Sequence, residues 1–352
     1  MKSARTVTVK DVAKAAGVSQ AAVSMALRGS SEISAKRIEQ IQAVARKLNY
    51  YPQAAGQLLR AKRKNQIGVV ISTPDCEAMT QSGFQTPILG VLAAVCYKQQ
   101  IGYQLEMHHF DSASPSGLPH QIAANMVDGA ILIGDVGPQM YEALAKRPDF
   151  PWVSINEPTE YAVLMDFSNA TEKILRLIAE HGHKRVAYCD GPRRFLEHRL
   201  PYEAFVRFSQ ANGWDRYLKS HWIASFPHIE SAKEAVELQK WALKLLKSKD
   251  RPTAVFCHGD SQSRTVAHVA AGLGLEIGRD LSVTSWGSAN NAMKTWPIMT
   301  AVVYDHEQLA HQALDLLKQR MNDPKATLPV NRFINGSIYQ GMSLGPCPVA
   351  YR

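Results

Sequence analysis

Two groups of residues in this chain have types and spacings suited to recognition chemistry. The first is Gln20, Ala21, Ser24 and Met25. At 3.6 residues per turn they lie on one face of a helix that starts after Ser19. Glutamine and serine bring hydrogen-bonding groups; alanine and methionine bring apolar contact. A helix face of this kind can enter a DNA major groove and meet base edges. The second group stands at or near the ends of apolar runs: the carboxylates Asp135, Asp166, Asp190 and Asp260, and the rings of Phe84 and Trp286. Carboxylates there can hold a ligand, and the rings can stack on one. Each also has a plain role, as a turn or cap residue or as core. Catalytic constellations are missing: there is no GxSxG, no Walker loop and no HExxH. GLGLEIG (272–278) follows a helix rather than a strand and reads as a helix C-cap and turn. His108-His109 and His181-Gly-His183 have no partner cluster at ligand spacing, so neither a metal nor a cofactor is expected.

The first face needs a scaffold, and the flanking sequence supplies one. Thr8 caps a first helix with Val12, Ala13 and Ala16 inward, and Gly17-Val18 forms a tight turn. Ser19 caps the second helix, with Val23, Ala26 and Leu27 inward. Ser34 caps a third, striped by Ile38, Ile41, Val44, Ala45 and Leu48. Such a helix–turn–helix could equally be a three-helix module for protein contacts. Charge favours nucleic acid. Residues 1–66 hold thirteen Lys or Arg against three Asp or Glu, and the other 286 residues hold 27 against 28, so the net +9 sits on the head.

From Gln66 onward, apolar runs alternate with helical stretches. Strands are expected at 67–72, 103–109, 129–134, 152–156, 185–190, 221–225, 254–260 and 281–286. Helices are expected at 86–100, 121–127, 138–146, 169–181, 201–211, 231–247, 263–271 and 305–320, with closing strands at 333–344. Strand–helix alternation implies parallel sheets covered on both faces. Two such blocks in series predict two lobes, with ligands binding at the C-terminal ends of the strands.

KDVAKAAGVSQAAVS, followed by ISAKR, LNYYP and QIGVV, resembles the start of a lactose-repressor (LacI) family transcription regulator, and the resemblance extends to about residue 345. It implies an all-α helix-turn-helix head (1–52), a hinge helix or linker (53–65) and a two-lobed α/β core like that of periplasmic binding proteins (66–345). Lobe 1 is placed at 66–163 and 287–324 and lobe 2 at 164–286 and 325–345, with crossings near 163–166, 285–288 and 322–328. The resemblance also implies that the hinge folds only when two copies meet in the minor groove, where Leu59 matches a leucine that wedges between base pairs. Gly56 replaces the usual alanine there, which weakens the helix by about 1 kcal/mol. The expected DNA-contacting set is Thr8, Ser19, Gln20, Ala21, Ser24, Met25, Arg28, Ser34, Tyr50 and Leu59. Met25 stands where many relatives carry a guanine-reading arginine, with Arg28 one turn on as a partial substitute.

In the second lobe, Arg199 falls at the position of the family's effector-gripping arginine. With Asp260, Trp286, Phe84 and Asp135 it forms the expected effector set. Two family anchors are lost: Gly259 replaces an asparagine and Gly287 an aspartate. Either the effector differs from the usual pentose or hexose, or other groups take over.

The implied function is a homodimeric repressor-type regulator that binds a near-palindromic operator and is tuned by a sugar or related metabolite in the interlobe cleft. The competing reading is a solute-binding protein with a vestigial head, and a two-lobed enzyme fails for want of a catalytic constellation. No apolar run reaches the roughly 18 residues of a membrane helix, and MKSARTVTVKD has no signal-peptide core, so a cytoplasmic protein is expected. The five dispersed cysteines read as reduced core residues. No heptad tail follows residue 345, which favours a dimer over a tetramer.

Overall fold

The computed structural model describes residues 7–27, 32–48, 50, 65–72, 84–108, 117–134, 137–226, 232–323 and 329–349. It forms two compact units, Met1–Lys64 and Asn65–Arg352.

In the first unit, helices α1 (Val9–Ala16), α2 (Gln20–Leu27) and α3 (Ala35–Lys47) enclose a small core of Val12, Ala13, Val23, Ala26, Ile41 and Ala45. Every inward residue expected from the helical spacing belongs to that core or packs against it. Gly17 ends α1 at φ +65°, a left-handed conformation that glycine adopts without a Cβ penalty. Its tight turn sets α2 against α1.

The second unit is built on two six-stranded sheets. The first has the order β11-β5-β4-β3-β1-β2 and is parallel throughout. Its strands are β1 (Gln66–Ser72), β2 (Gly102–His108), β3 (Gly129–Ile133), β4 (Trp152–Ile155), β5 (Tyr161–Met165) and β11 (Val330–Ile334). The second has the order β12-β10-β9-β8-β6-β7. It comprises β6 (Val186–Asp190), β7 (Ile223–Ser225), β8 (Ala254–Cys257), β9 (Ser282–Gly287), β10 (Thr300–Val303) and β12 (Ser337–Tyr339), and only β12 runs antiparallel. The helices are α4 (Gln85–Lys98), α5 (His120–Ala123), α6 (Pro138–Ala145), α7 (Phe167–Glu180), α8 (Leu196–Ala211), α9 (Ala232–Lys247), α10 (Asp260–Gly272), α11 (Ala289–Met293) and α12 (His306–Asn322). Strands β1, β3, β5, β6, β8, β9 and β10 are buried along nearly their whole length, as strands covered by helices on both faces must be.

Two strands were hidden in the sequence. β5 follows β4 after only five residues, and β10 follows the short α11 and the cis Trp296–Pro297 bond, so neither has the long helical spacer that marks a parallel strand. Their presence corrects the lobe boundaries. β10 pairs with β9 in the second sheet, so 287–303 belongs to lobe 2 and the chain crosses between Val303 and His306, not at 285–288. β11 pairs with β5 in the first sheet, so the return crossing falls between Ile334 and Ser337, not at 322–328. The hydrogen bond from Asp166 N to Ile334 O ties the first crossing to this return. The helix expected at 121–127 is a single turn, and α8 begins five residues before Pro201.

Candidate effector floor and DNA-reading helix

In the head, Thr8 sits at the N-cap of α1, and its N–H and hydroxyl both donate to the Asp11 carboxylate, at 2.9 and 2.7 Å. Ser19 Oγ accepts from Ala22 N at 3.1 Å and so fixes the start of α2. Ser34 holds the N-cap position of α3 in extended conformation, but its hydroxyl makes no capping bond, contrary to the sequence reading. On α2, Gln20 and Ala21 are exposed, while Ser24 and Met25 are half-buried. Val23 and Ala26 point the opposite way, into the core. Tyr50 packs its half-buried ring against that core. Arg28, Leu59 and hinge residues 53–64 lie outside the described residues, as does Asp135.

In the core, most of the remaining candidates meet at the C-terminal ends of the second-sheet strands. Trp286, at the end of β9, is 1% exposed. Its ring centroid lies 4.8 Å from that of His258, 5.7 Å from Phe167 and 6.0 Å from Tyr304. Phe84 reaches the same set from the first lobe, 5.1 Å from Tyr304 and 5.7 Å from His306. Because Tyr304 lies on the crossing after β10, these rings run without a break from one lobe to the other.

His198 and His258 were not anticipated. His258 immediately follows β8, is 3% exposed, and has no hydrogen-bond partner on either ring nitrogen among the described residues. Burial, reinforced by His198, holds its pKa well below the usual histidine value. His198, 4.8 Å away, accepts from Gly191 N at its Nδ1, which leaves the proton of the neutral ring on Nε2. Burial, with Arg193 adding repulsion, pushes its pKa down to about 3. The floor therefore offers two neutral imidazoles. The sequence signal was the strand end itself: His258 is the residue before Gly259-Asp260.

Two carboxylates flank these rings. Asp190, at the end of β6, is fully buried; burial raises its pKa, opposed by Arg193, whose Nε donates to Oδ2 at 2.8 Å. The Arg193 guanidinium stacks 3.5 Å over Tyr202. Asp260, first residue of α10, accepts from Asn291 Nδ2 at 2.8 Å and Ser285 Oγ at 3.4 Å, and its pKa is raised by burial. Asp166 instead caps α7, accepting from Asn169 N at 3.1 Å. Arg199 is exposed on α8, and no side-chain partner is found for it among the described residues.

The space at Gly259 and Gly287, where the resemblance implied polar anchors, is filled from nearby. A Cβ on Gly287 would lie 2.1 Å from Asp260 Oδ1, and a Cβ on Gly259 would lie 2.0 Å from Gln262 Oε1. The Asp260 carboxylate and the Gln262 amide thus occupy the space where those side chains would begin.

The histidines set aside from the sequence are structural where described: His183 bonds Thr253 and Gly345 at 2.9 Å each. Cys96, Cys189, Cys257 and Cys347 are free and buried, and Cys76 lies outside the described residues. No group of three metal-ligating side chains occurs among the described residues.

Residues 8–53 match the family of bacterial regulatory proteins, lacI family, and residues 175–344 match a periplasmic binding protein-like domain. The chain carries a LacI-family DNA-binding head and a periplasmic binding protein-like domain. Catabolite control protein A of Priestia megaterium is 26% identical over 325 residues, 90% of this chain and 93% of that protein. The repressor PurR of Mannheimia succiniciproducens is 24% identical over 324 residues, 89% of this chain and 92% of its own length. A crystal structure of the lac repressor dimer bound to operator and the anti-inducer ONPF superposes with a TM-score of 0.82 at 20% identity, covering 97% of this chain and 100% of that one. The LacI-family head is a helix-turn-helix DNA-binding domain, and the chain is a transcription regulator of the repressor type. Among the described residues no helix is long and apolar enough to cross a membrane.

Proposed function

We propose that this LacI-family regulator acts as a cytoplasmic homodimer whose two α2 helices read the half-sites of a near-palindromic operator, and whose DNA affinity is set by a small molecule held over the His198–His258–Trp286 floor. The observation that carries the DNA half is the exposed Gln20–Ala21 edge of α2, on a head that bears the whole excess positive charge. Dimerisation is supported by apolar side chains open to solvent at one edge of the first sheet: Tyr97 is 85% exposed at the end of α4, and Tyr103 and Leu105 are 45% and 47% exposed on edge strand β2. Exposed rings along an unpaired strand edge are suited to burial against a second copy.

The ligand half rests on His258, buried and unpartnered beside the Trp286 ring. A buried polar group without a partner is costly, and a ligand that bonds it removes that penalty. With Gln262 and Asp260 filling the two glycine positions, the floor favours a ligand with a flat face and a few hydrogen-bonding groups over one rich in hydroxyls. Arg199 closes on that ligand, a role supported by its exposure and by the lack of a side-chain partner among the described residues. The alternative of a solute-binding protein predicts no operator.

The test is DNA binding by the full chain against residues 1–66 over a range of salt. The full chain should select one near-palindrome, bind it far more tightly than the head alone, and lose affinity log-linearly with salt as phosphate counterions are released. Salt-independent binding, or equal affinity of the isolated head, contradicts the proposal.

A further inference from the structure

The first lobe holds a cavity of about 860 Å³. It lies at the N-terminal ends of β4 and β5, whereas ligands of such sheets gather at the C-terminal ends. Its walls include the rings of Tyr141, Phe150, Trp152 and Tyr161. Arg320, near the end of α12, also lines it and is only 4% exposed. Arg320 donates from Nη1 to Trp152 O at 2.6 Å, and its guanidinium stacks 3.5 Å from the Tyr161 ring centroid. Its Nε has no hydrogen-bond partner among the described residues. A guanidinium taken out of water needs a partner to offset its desolvation, and the exposed Glu160 on the rim offsets it only in part. Burial lowers the Arg320 pKa, opposed by Tyr161 and Glu160, and the charge is retained.

We propose that this cavity is a ligand site for a small planar aromatic monocarboxylate, whose ring packs among the aromatic walls and whose carboxylate pairs with Arg320. Planar guanidinium and carboxylate groups match in a two-bond fork, and aromatic walls suit a flat apolar body. The rim limits the charge. Asp149 and Glu160 line the cavity and are exposed, so a second negative charge on the ligand would meet two carboxylates. That selects a monoanion over a phosphate dianion. The site is independent of the effector floor, at the opposite end of the strands and in the other lobe.

The test is isothermal titration calorimetry of the full chain with 2-naphthoate, set beside 2-naphthylmethanol and 2-naphthyl phosphate. Saturable 2-naphthoate binding is expected, at least tenfold tighter than either control. Arg320→Gln, which keeps a donor for Trp152 O, should weaken it at least tenfold. Ala145→Trp should do the same by filling the cavity from its lining without touching the arginine, so the proposal stays testable should Arg320→Gln fail to fold. Several outcomes would overturn it: no saturable binding, equal binding of the alcohol (an apolar cavity only), equal binding of the phosphate (a general anion site), or full binding by Ala145→Trp, which would place the ligand elsewhere.

Discussion

The filling of Gly287 by the Asp260 carboxylate predicts a substitution whose sign depends on its neighbour. Gly287 ends β9 in extended backbone, where alanine is intrinsically better than glycine by about 0.5–1 kcal/mol. In the wild-type chain, however, an alanine Cβ would stand 2.1 Å from Asp260 Oδ1, far inside contact distance, so the carboxylate must move. Moving it breaks the 2.8 Å bond from Asn291 and the longer 3.4 Å bond from Ser285. Hydrogen bonds to a charged group are worth about 1.5–3 kcal/mol, and the longer of these belongs at or below the low end. Gly287→Ala should therefore destabilise the core by about 2–3 kcal/mol after its backbone gain. With Asp260→Ala already in place nothing is displaced, and the same change should stabilise by about 0.5–1 kcal/mol. The double-mutant cycle then gives a coupling near 3 kcal/mol, at the upper end of what contacting residues show. In a unit of this size, thermal unfolding would register a fall of about 5 °C in the first background and a rise of 1–2 °C in the second. If Gly287→Ala has the same effect in both backgrounds, Asp260 does not fill that space and the account of the lost anchor is wrong.

Acid should weaken the core through its buried histidines. His198, at about 3, and His258, held well down by burial, have folded pKa values below the unfolded value of about 6.5, so below that value the unfolded chain binds protons that the folded chain refuses. Stability is thus fully present above pH 6.5 and falls as pH drops, by about 2 kcal/mol at pH 5 for His198 and in the same direction for His258. Asp190 and Asp260, raised by burial, act in the opposite sense, gaining stability as pH falls through their folded pKa, so the histidine share is read from His258→Phe. Urea unfolding at pH 7 and pH 5 should show a smaller loss in that variant, and an equal loss removes His258 from the account. Arg199→Ala should leave the melting temperature of the ligand-free protein within about 1 °C, because surface substitutions without partners rarely exceed about 0.5 kcal/mol. The same variant should abolish the shift given by a hit in a thermal-shift screen of sugars, sugar acids, purines and amino acids, where a ligand at a hundred times its Kd contributes about 2.7 kcal/mol; a retained shift clears Arg199 of the effector role. Met25→Arg should move operator preference towards guanine at one position in each half-site, as read by selection from random duplexes, and an unchanged preferred sequence refutes the placement of Met25 on the reading face.

The head was almost entirely legible because its information is local. Apolar residues recur at helical spacing, Gly17 marks a left-handed turn, and the charge split separates head from core. The sheets were legible where a strand had a long helix on each side. They were not legible where the chain takes a short route: β5 returns beside β4 through a five-residue loop, and β10 arrives from the one-turn-and-a-bit helix α11. Apolar runs such as TAVV at 300–303 look alike whichever sheet they join, since both faces of either sheet are covered. The register of pairing, which only long-range contacts decide, moved the crossings from 285–288 and 322–328 to 303–306 and 334–337.

The site was legible by position and not by space. The family resemblance implies an asparagine and an aspartate where the chain has Gly259 and Gly287, and a linear reading takes each loss as a polar group removed. In three dimensions a strand end is crowded by the helix that follows it. Gln262 lies three residues beyond Gly259 on the first turn of α10, and Asp260 faces Gly287 across the β8–β9 pairing, so each glycine makes room for a polar side chain from one turn or one strand away. The polar character of the floor is therefore retained, but its donors and acceptors have moved. Asp260 spends its acceptors on Asn291 and Ser285, whereas His258 keeps both nitrogens unpartnered among the described residues. The group best placed to discriminate among ligands is thus the histidine that no spacing rule picks out, and a variant that removes it should alter which ligand binds as well as how tightly.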